Sequence, residues 1–101
     1  MSSSTALSSG LLSAGTVQVG QPGRQYLSGV TIVTDNTNIA TITVYDNGSG
    51  VASGTVLAKL TATVTTGANS LAFVTPVRAE NGLVVVIAGT GAPQGIVYYG
   101  A

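Results

Sequence analysis

The sequence predicts an all-β protein: an antiparallel β-sandwich, jelly-roll or Ig-like, of about six to eight short strands with an N-terminal arm. Three observations carry this. Short runs rich in Val, Thr, Ile and Leu follow one another from residue 15 to the end. Turn-forming residues interrupt them about every 8–12 positions. No segment shows the helical spacing of apolar residues at i, i+3, i+4 and i+7.

Residues 1–14, MSSSTALSSGLLSA, are Ser-rich with scattered Leu and Ala and read as an arm outside the sandwich, which occupies 15–101. Two roles stay open for the arm: a flexible tail, or a strap laying Leu7, Leu11 and Leu12 onto a neighbouring subunit. Thr16–Val19 is a short strand. QYLSGVTIVT (25–34) is β-branched and ends at the turn-forming pair Asp35-Asn36. IATITVY (39–45) alternates Ile39, Thr41, Thr43 and Tyr45 against Ala40, Ile42 and Val44, the period of a half-buried strand. TVLAKLTATV (55–64) puts Val56, Ala58, Leu60, Ala62 and Val64 on one face, leaving Leu57, Lys59, Thr61 and Thr63 for the other. SLAFVTPVRA (70–79) is a strand whose Pro76 demands an edge or a bulge, because proline has no N–H for a ladder. LVVVIA (83–88) is apolar throughout, as expected of a strand covered on both faces. GIVYY (95–99) comes last, with Tyr98 and Tyr99 sending one ring to each face.

Composition narrows the function. The chain has 101 residues, enough for one modest core. Only 6% of them are charged, against roughly 25% in an ordinary soluble domain. Arg24, Lys59 and Arg78 balance Asp35, Asp46 and Glu80, so the formal net charge is zero, while the mean hydropathy is +0.49. Three scattered cations cannot neutralise a phosphate backbone, so nucleic acid is a poor partner. The chain has no Cys, hence no disulfide framework and no thiolate metal site. No run approaches the ~20 apolar residues of a membrane helix. The opening residues also lack the positive start and continuous apolar run of a signal peptide.

Chemistry is hard to place. With no His, a Ser-His-Asp or Cys-His arrangement cannot form. Lys59 is mid-strand with no serine at a suggestive spacing. The acids stand in three similar pairs, Asp35-Asn36, Asp46-Asn47 and Glu80-Asn81. That repetition is expected of side chains bonding local backbone at turns. The loop DNGSGVASG (46–54) misses the dinucleotide fingerprint: its glycines fall at 48, 50 and 54, and a strand follows. It also lacks the alternating ligands and closing Glu of a calcium loop. Asn47-Gly48-Ser49 matches the glycosylation sequon, a match that is cheap at three residues. The expectation is a connection between strands, with no catalytic residue, no metal and no cofactor.

The missing charge is itself a clue. Sheet edges of free β-proteins are normally guarded by Lys, Pro or other charges. A chain with few to spare is tolerable where neighbours occupy its edges, as in a homo-oligomer or a shell. Three segments, GRQYLSGVTIVTDN, ATITVYDNGSGVASGTVLAKL and AENGLVVVIAGTGAPQGIVYYG, together resemble small β-rich virion proteins of tailed bacteriophages. The resemblance spans about residues 23–100 and carries no functional residue across. It implies a non-enzymatic capsid cement or decoration protein on the virion surface, a homotrimer that bridges major capsid subunits and is made in the host cytoplasm. A head-fibre or tail component is the neighbouring implication. Independently of the resemblance, a carbohydrate-binding adhesive sandwich using Tyr45 and Tyr99 is the competing class. Candidate assembly contacts, chosen for exposure and apolarity, are Leu7, Leu11, Leu12, Asp46, Asn47, Ser49, Tyr98 and Tyr99.

Overall fold

Ala40, Ile42 and Val44 are fully buried while Thr41, Thr43 and Tyr45 are only half-covered, so the period-2 pattern of this segment becomes a core face and an outer face. The same logic builds the rest of the chain. A computed structural model describes residues 7–35, 37–63 and 67–100, in which nine strands and no helix occur. They are β1 (Leu7–Ser8), β2 (Leu12–Ser13), β3 (Gly15–Val19), β4 (Gln25–Val33), β5 (Ala40–Asp46), β6 (Thr55–Ala62), β7 (Ala68–Ala79), β8 (Leu83–Gly89) and β9 (Gln94–Gly100). Residues 1–6 of the expected arm, Asn36 of the turn pair and Val64 lie outside the described residues.

The strands form two antiparallel sheets. One has the order β1-β9-β4-β7, with β2 also on β9; the other has the order β3-β8-β5-β6. Both contribute to a single apolar core: Leu27, Val30, Ile32 and Val97 from the first, Val19, Ile42, Val44, Leu83, Val85 and Ile87 from the second. Each such side chain taken fully out of water contributes ~1.5–3 kcal/mol, an upper figure because unfolded chains already bury some surface. On the outer faces hydroxyls pair across strands in place of charges. Thr31 and Ser70 approach to 2.9 Å, and Thr41 and Thr61 to 3.3 Å.

β8 sits between β3 and β5. Leu83, Val85 and Ile87 face the core, and Val84 is equally buried on the opposite face. That second face opens towards the strand end, where Ala88 is exposed. Tyr99 packs against the core and Tyr98 is exposed, one ring to each face as the alternation requires.

Two bulges change the phase of the alternation. Val44 faces Ala58 and Tyr45 faces Val56, so Leu57 is an extra residue on β6. The expected face therefore breaks there. Ala58 and Ala62 are buried, but Val56 is exposed and Leu57 packs against the core in its stead. On β4, Ser28 is the extra residue against β9. Against β7 the irregularity is larger: Leu27 pairs with Val77 and Gly29 with Ala72, so Phe73 to Pro76 face only Ser28. Pro76 thus lies in a bulge on an edge strand, where its missing N–H costs the ladder nothing.

Residues 7–14 are not an arm apart from the sheets. β1 and β2 pair along β9, with Leu7 opposite Tyr99 and Leu12 opposite Gly95. Between them Ser9 serves as a strand by itself. Its backbone N–H donates to Val97 O and its Oγ accepts from Val97 N–H, both at 2.9 Å. The physical reason is that a serine hydroxyl can stand in for a backbone group. A Ser-rich stretch can therefore saturate a sheet edge without β-branched residues.

Candidate functional site

The loop that follows β5 is built around two side chains. Asp46 closes β5, and its carboxylate accepts the backbone N–H of Glu80 at 3.1 Å and of Asn81 at 2.8 Å, one on each oxygen. Asp46 therefore does not bond local backbone, as its place in a turn pair suggested. It holds the β7–β8 turn from across the sheet. Asp35 does act locally, accepting the N–H groups of Thr37 and Asn38, both at 2.9 Å. Those backbone donors, with further bonds from the Asn38 amide and the Thr34 hydroxyl, hold the Asp35 carboxyl below its usual pKa. Glu80 is ion-paired with Arg78 at 2.7 Å, on the surface where such pairs contribute little.

Asn47 then folds the loop on itself. Its Oδ1 accepts from Ser49 N–H at 2.7 Å, and its Nδ2 donates to Ser53 Oγ at 3.2 Å. Its backbone is fixed too, with the N–H donating to Gly82 O and the carbonyl accepting from Gln18 Nε2. Gly48 permits the close approach: a Cβ there would lie 2.5 Å from the Asn81 carbonyl oxygen. Gly54 returns the chain to β6 at φ +102°, a left-handed conformation natural to glycine.

Asp46, Asn47 and Ser49 consequently line one hollow of about 400 Å³, with Gly23, Gly48, Glu80 and Asn81. Its side chains bond the backbone around them. Both Asp46 oxygens already accept N–H groups, and no described cluster of three or more His, Cys, Asp or Glu could hold a metal ion. The arrangement ties three connections together: 20–24 through Gly23 N–H to Asn81 O at 2.7 Å, 46–54, and 80–82.

The other candidate contacts gather elsewhere. Leu7, Tyr98 and Tyr99 meet on the β1–β9 pair, where Leu7 and Tyr98 are exposed. Leu11 is exposed between β1 and β2, while Leu12 packs against the core. Under them lies a second hollow of about 210 Å³, lined by Ser8, Ser9, Leu12, Val17, Gln18, Val19, Gly20 and Tyr99. It is the lateral mouth between the sheets, where apolar side chains of β3 and β9 are incompletely covered.

One exposed feature was missed from the sequence. β7 is exposed at nearly every position, on both faces. Its bulge turns Phe73 inward against the core and leaves Val74 with 104% of its reference surface in water. The signal available was Pro76, which marked the bulge without saying how far it extrudes. Neither the protein-family models nor the curated proteins give a match to this chain.

Proposed function

We propose that this chain is a non-enzymatic structural protein of a tailed-bacteriophage virion, a capsid cement or decoration protein that bridges and stabilises major capsid subunits. The observation that carries the reading is the edge strand β7. From Leu60 to Val77 the chain has no charged residue, and β7, which among the described residues pairs with β4 alone, presents Leu71 and Val74 to water. A free β-protein normally guards such an edge along its whole length, and here Pro76 and its bulge guard only one part of it. A protein whose edges meet neighbours in a shell has no need to, and small contacts repeated around a closed lattice sum to a strong one.

In this reading the two sheets are a β-sandwich with an Ig-like core. Counting from β3 as the first strand, the second pairs with the fifth (β4·β7) and the third with the sixth (β5·β8), the pairings at the centre of Ig-type sandwiches. The outer strands differ from that plan, because β9 joins β4 and β3 joins β8.

The test is quantitative mass spectrometry of purified virions, with labelled antibody to place the protein on head or tail. The expected result is a fixed stoichiometry to the major capsid protein and labelling over the head. Absence from washed virions, or a few copies confined to the tail, overturns the cement reading.

A further inference from the structure

We infer that copies of this chain join head to tail, the Val74–Pro76 bulge of one copy seating in the lateral hollow beneath β1 and β2 of the next. The inference rests on the assembly reading above and names the contact that such an assembly uses.

Five observations converge. The bulge is extruded: four β7 residues face one β4 residue, Phe73 anchors the base in the core, and Val74 stands fully in water at the tip. A lone exposed valine is ordinary, but one held out by an anchored bulge is a peg. The hollow suits it in chemistry, because the apolar Leu12, Val17, Val19 and Tyr99 line it together with Ser8, Ser9, Gln18 and Gly20, none of them charged. Size agrees as well. About 210 Å³ exceeds the roughly 150 Å³ that already accepts a benzene-sized group, leaving room for a valine and the rim of a proline. Placement decides the symmetry: β7 ends its sheet on one side, and β1 and β2, paired along β9, end it on the other. A peg and a socket on opposite sides of one molecule cannot satisfy each other in that molecule, nor across a two-fold dimer through β7. They make a heterologous contact, which closes into a ring or propagates. Neither surface carries a charge, so a second copy of this neutral chain meets no unpaired ion in either.

Because the chain has no Cys, disulfide trapping reads the contact directly. Val74→Cys and Val17→Cys are prepared separately and mixed under mild oxidation. A cross-linked dimer is expected in the mixture and not in either variant alone. Cross-linking of Val74→Cys alone shows β7 edges meeting each other and overturns the inference, as does a mixture that stays uncross-linked while remaining oligomeric. Val74→Asp provides a second readout by light scattering. Its association should weaken at least about tenfold, leaving a 9.9 kDa monomer with an unchanged far-ultraviolet circular dichroism spectrum. An oligomer that survives Val74→Asp, or a wild-type chain that stays at 9.9 kDa at millimolar concentration, refutes the contact. Virion stoichiometry decides the cement reading separately.

Discussion

Replacing Asp46 by Ala removes the acceptor for two backbone N–H groups at once, those of Glu80 and Asn81. Hydrogen bonds to a charged acceptor are worth about 1.5–3 kcal/mol when shielded from water. These two border an open hollow, so water re-solvates the freed N–H groups and each bond counts for about 1 kcal/mol. The expected loss is therefore about 2 kcal/mol. For a domain of this length that lowers Tm by roughly 8–16 °C, at about 4–8 °C per kcal/mol. Asp46→Asn separates the two bonds. An amide has one accepting oxygen and one donating nitrogen, so it can satisfy one N–H but must oppose the other. Its loss should be at least half that of the alanine variant, despite the near-identical shape. Thermal and urea unfolding of the three proteins are the assay, with amide exchange at Glu80 and Asn81 as the local readout. A Tm change below about 3 °C for Asp46→Ala, with no change in exchange at those amides, refutes the claim that this carboxylate holds the β7–β8 turn.

Gly95→Ala should destabilise by about 1–3 kcal/mol through overpacking. Its Cβ would lie 3.0 Å from both Ile42 Cδ1 and Ile87 Cδ1 and from the Thr31 carbonyl oxygen, whereas Gly100→Ala meets nothing within 4 Å and should change stability negligibly in the same urea titration. Ser9→Ala deletes the hydroxyl that accepts from Val97 N–H, and the Val97 amide should exchange faster while the β4 amides keep their protection. Asp35, whose folded pKa is depressed, contributes stability that is complete above its unfolded value of about 3.9 and is lost as pH falls through the lower folded value. The Tm advantage of the native chain over Asp35→Asn should thus be constant at neutral pH and close below about pH 4; a gap that persists in strong acid sinks that assignment.

The strand segments could be read from residues 15 to 100 because each carries its own signal. Alternation in 39–45 places Ile42 and Val44 in the core, and the apolar run of 83–88 puts Leu83, Val85 and Ile87 there too, while its second face is covered only in part: Val84 is buried, Val86 half-buried and Ala88 exposed. Pro76 foretold an edge or a bulge, and β7 has both. These are local facts, set by side-chain polarity and backbone sterics within a few residues. Where one side chain could satisfy two partners, the sequence was silent. Asp46 looked like Asp35, yet its partners are 34 and 35 residues away, and only the pairing of β5 with β8 brings the 80–82 turn to it. The Ser-rich start reads as an arm outside the sandwich, either a flexible tail or a strap onto a neighbour, yet Ser9 bonds a residue 88 positions on, because the β9 edge would otherwise expose its backbone groups. The bulges at Ser28 and Leu57 were equally hidden, since one extra residue reverses the phase and leaves no mark in composition. By itself, then, the sequence determined an all-β chain with too little charge to guard its edges. Tertiary structure alone decided which edges stay open and that Val74 stands out from one of them, because an edge is defined by the strand that does not come to lie beside it.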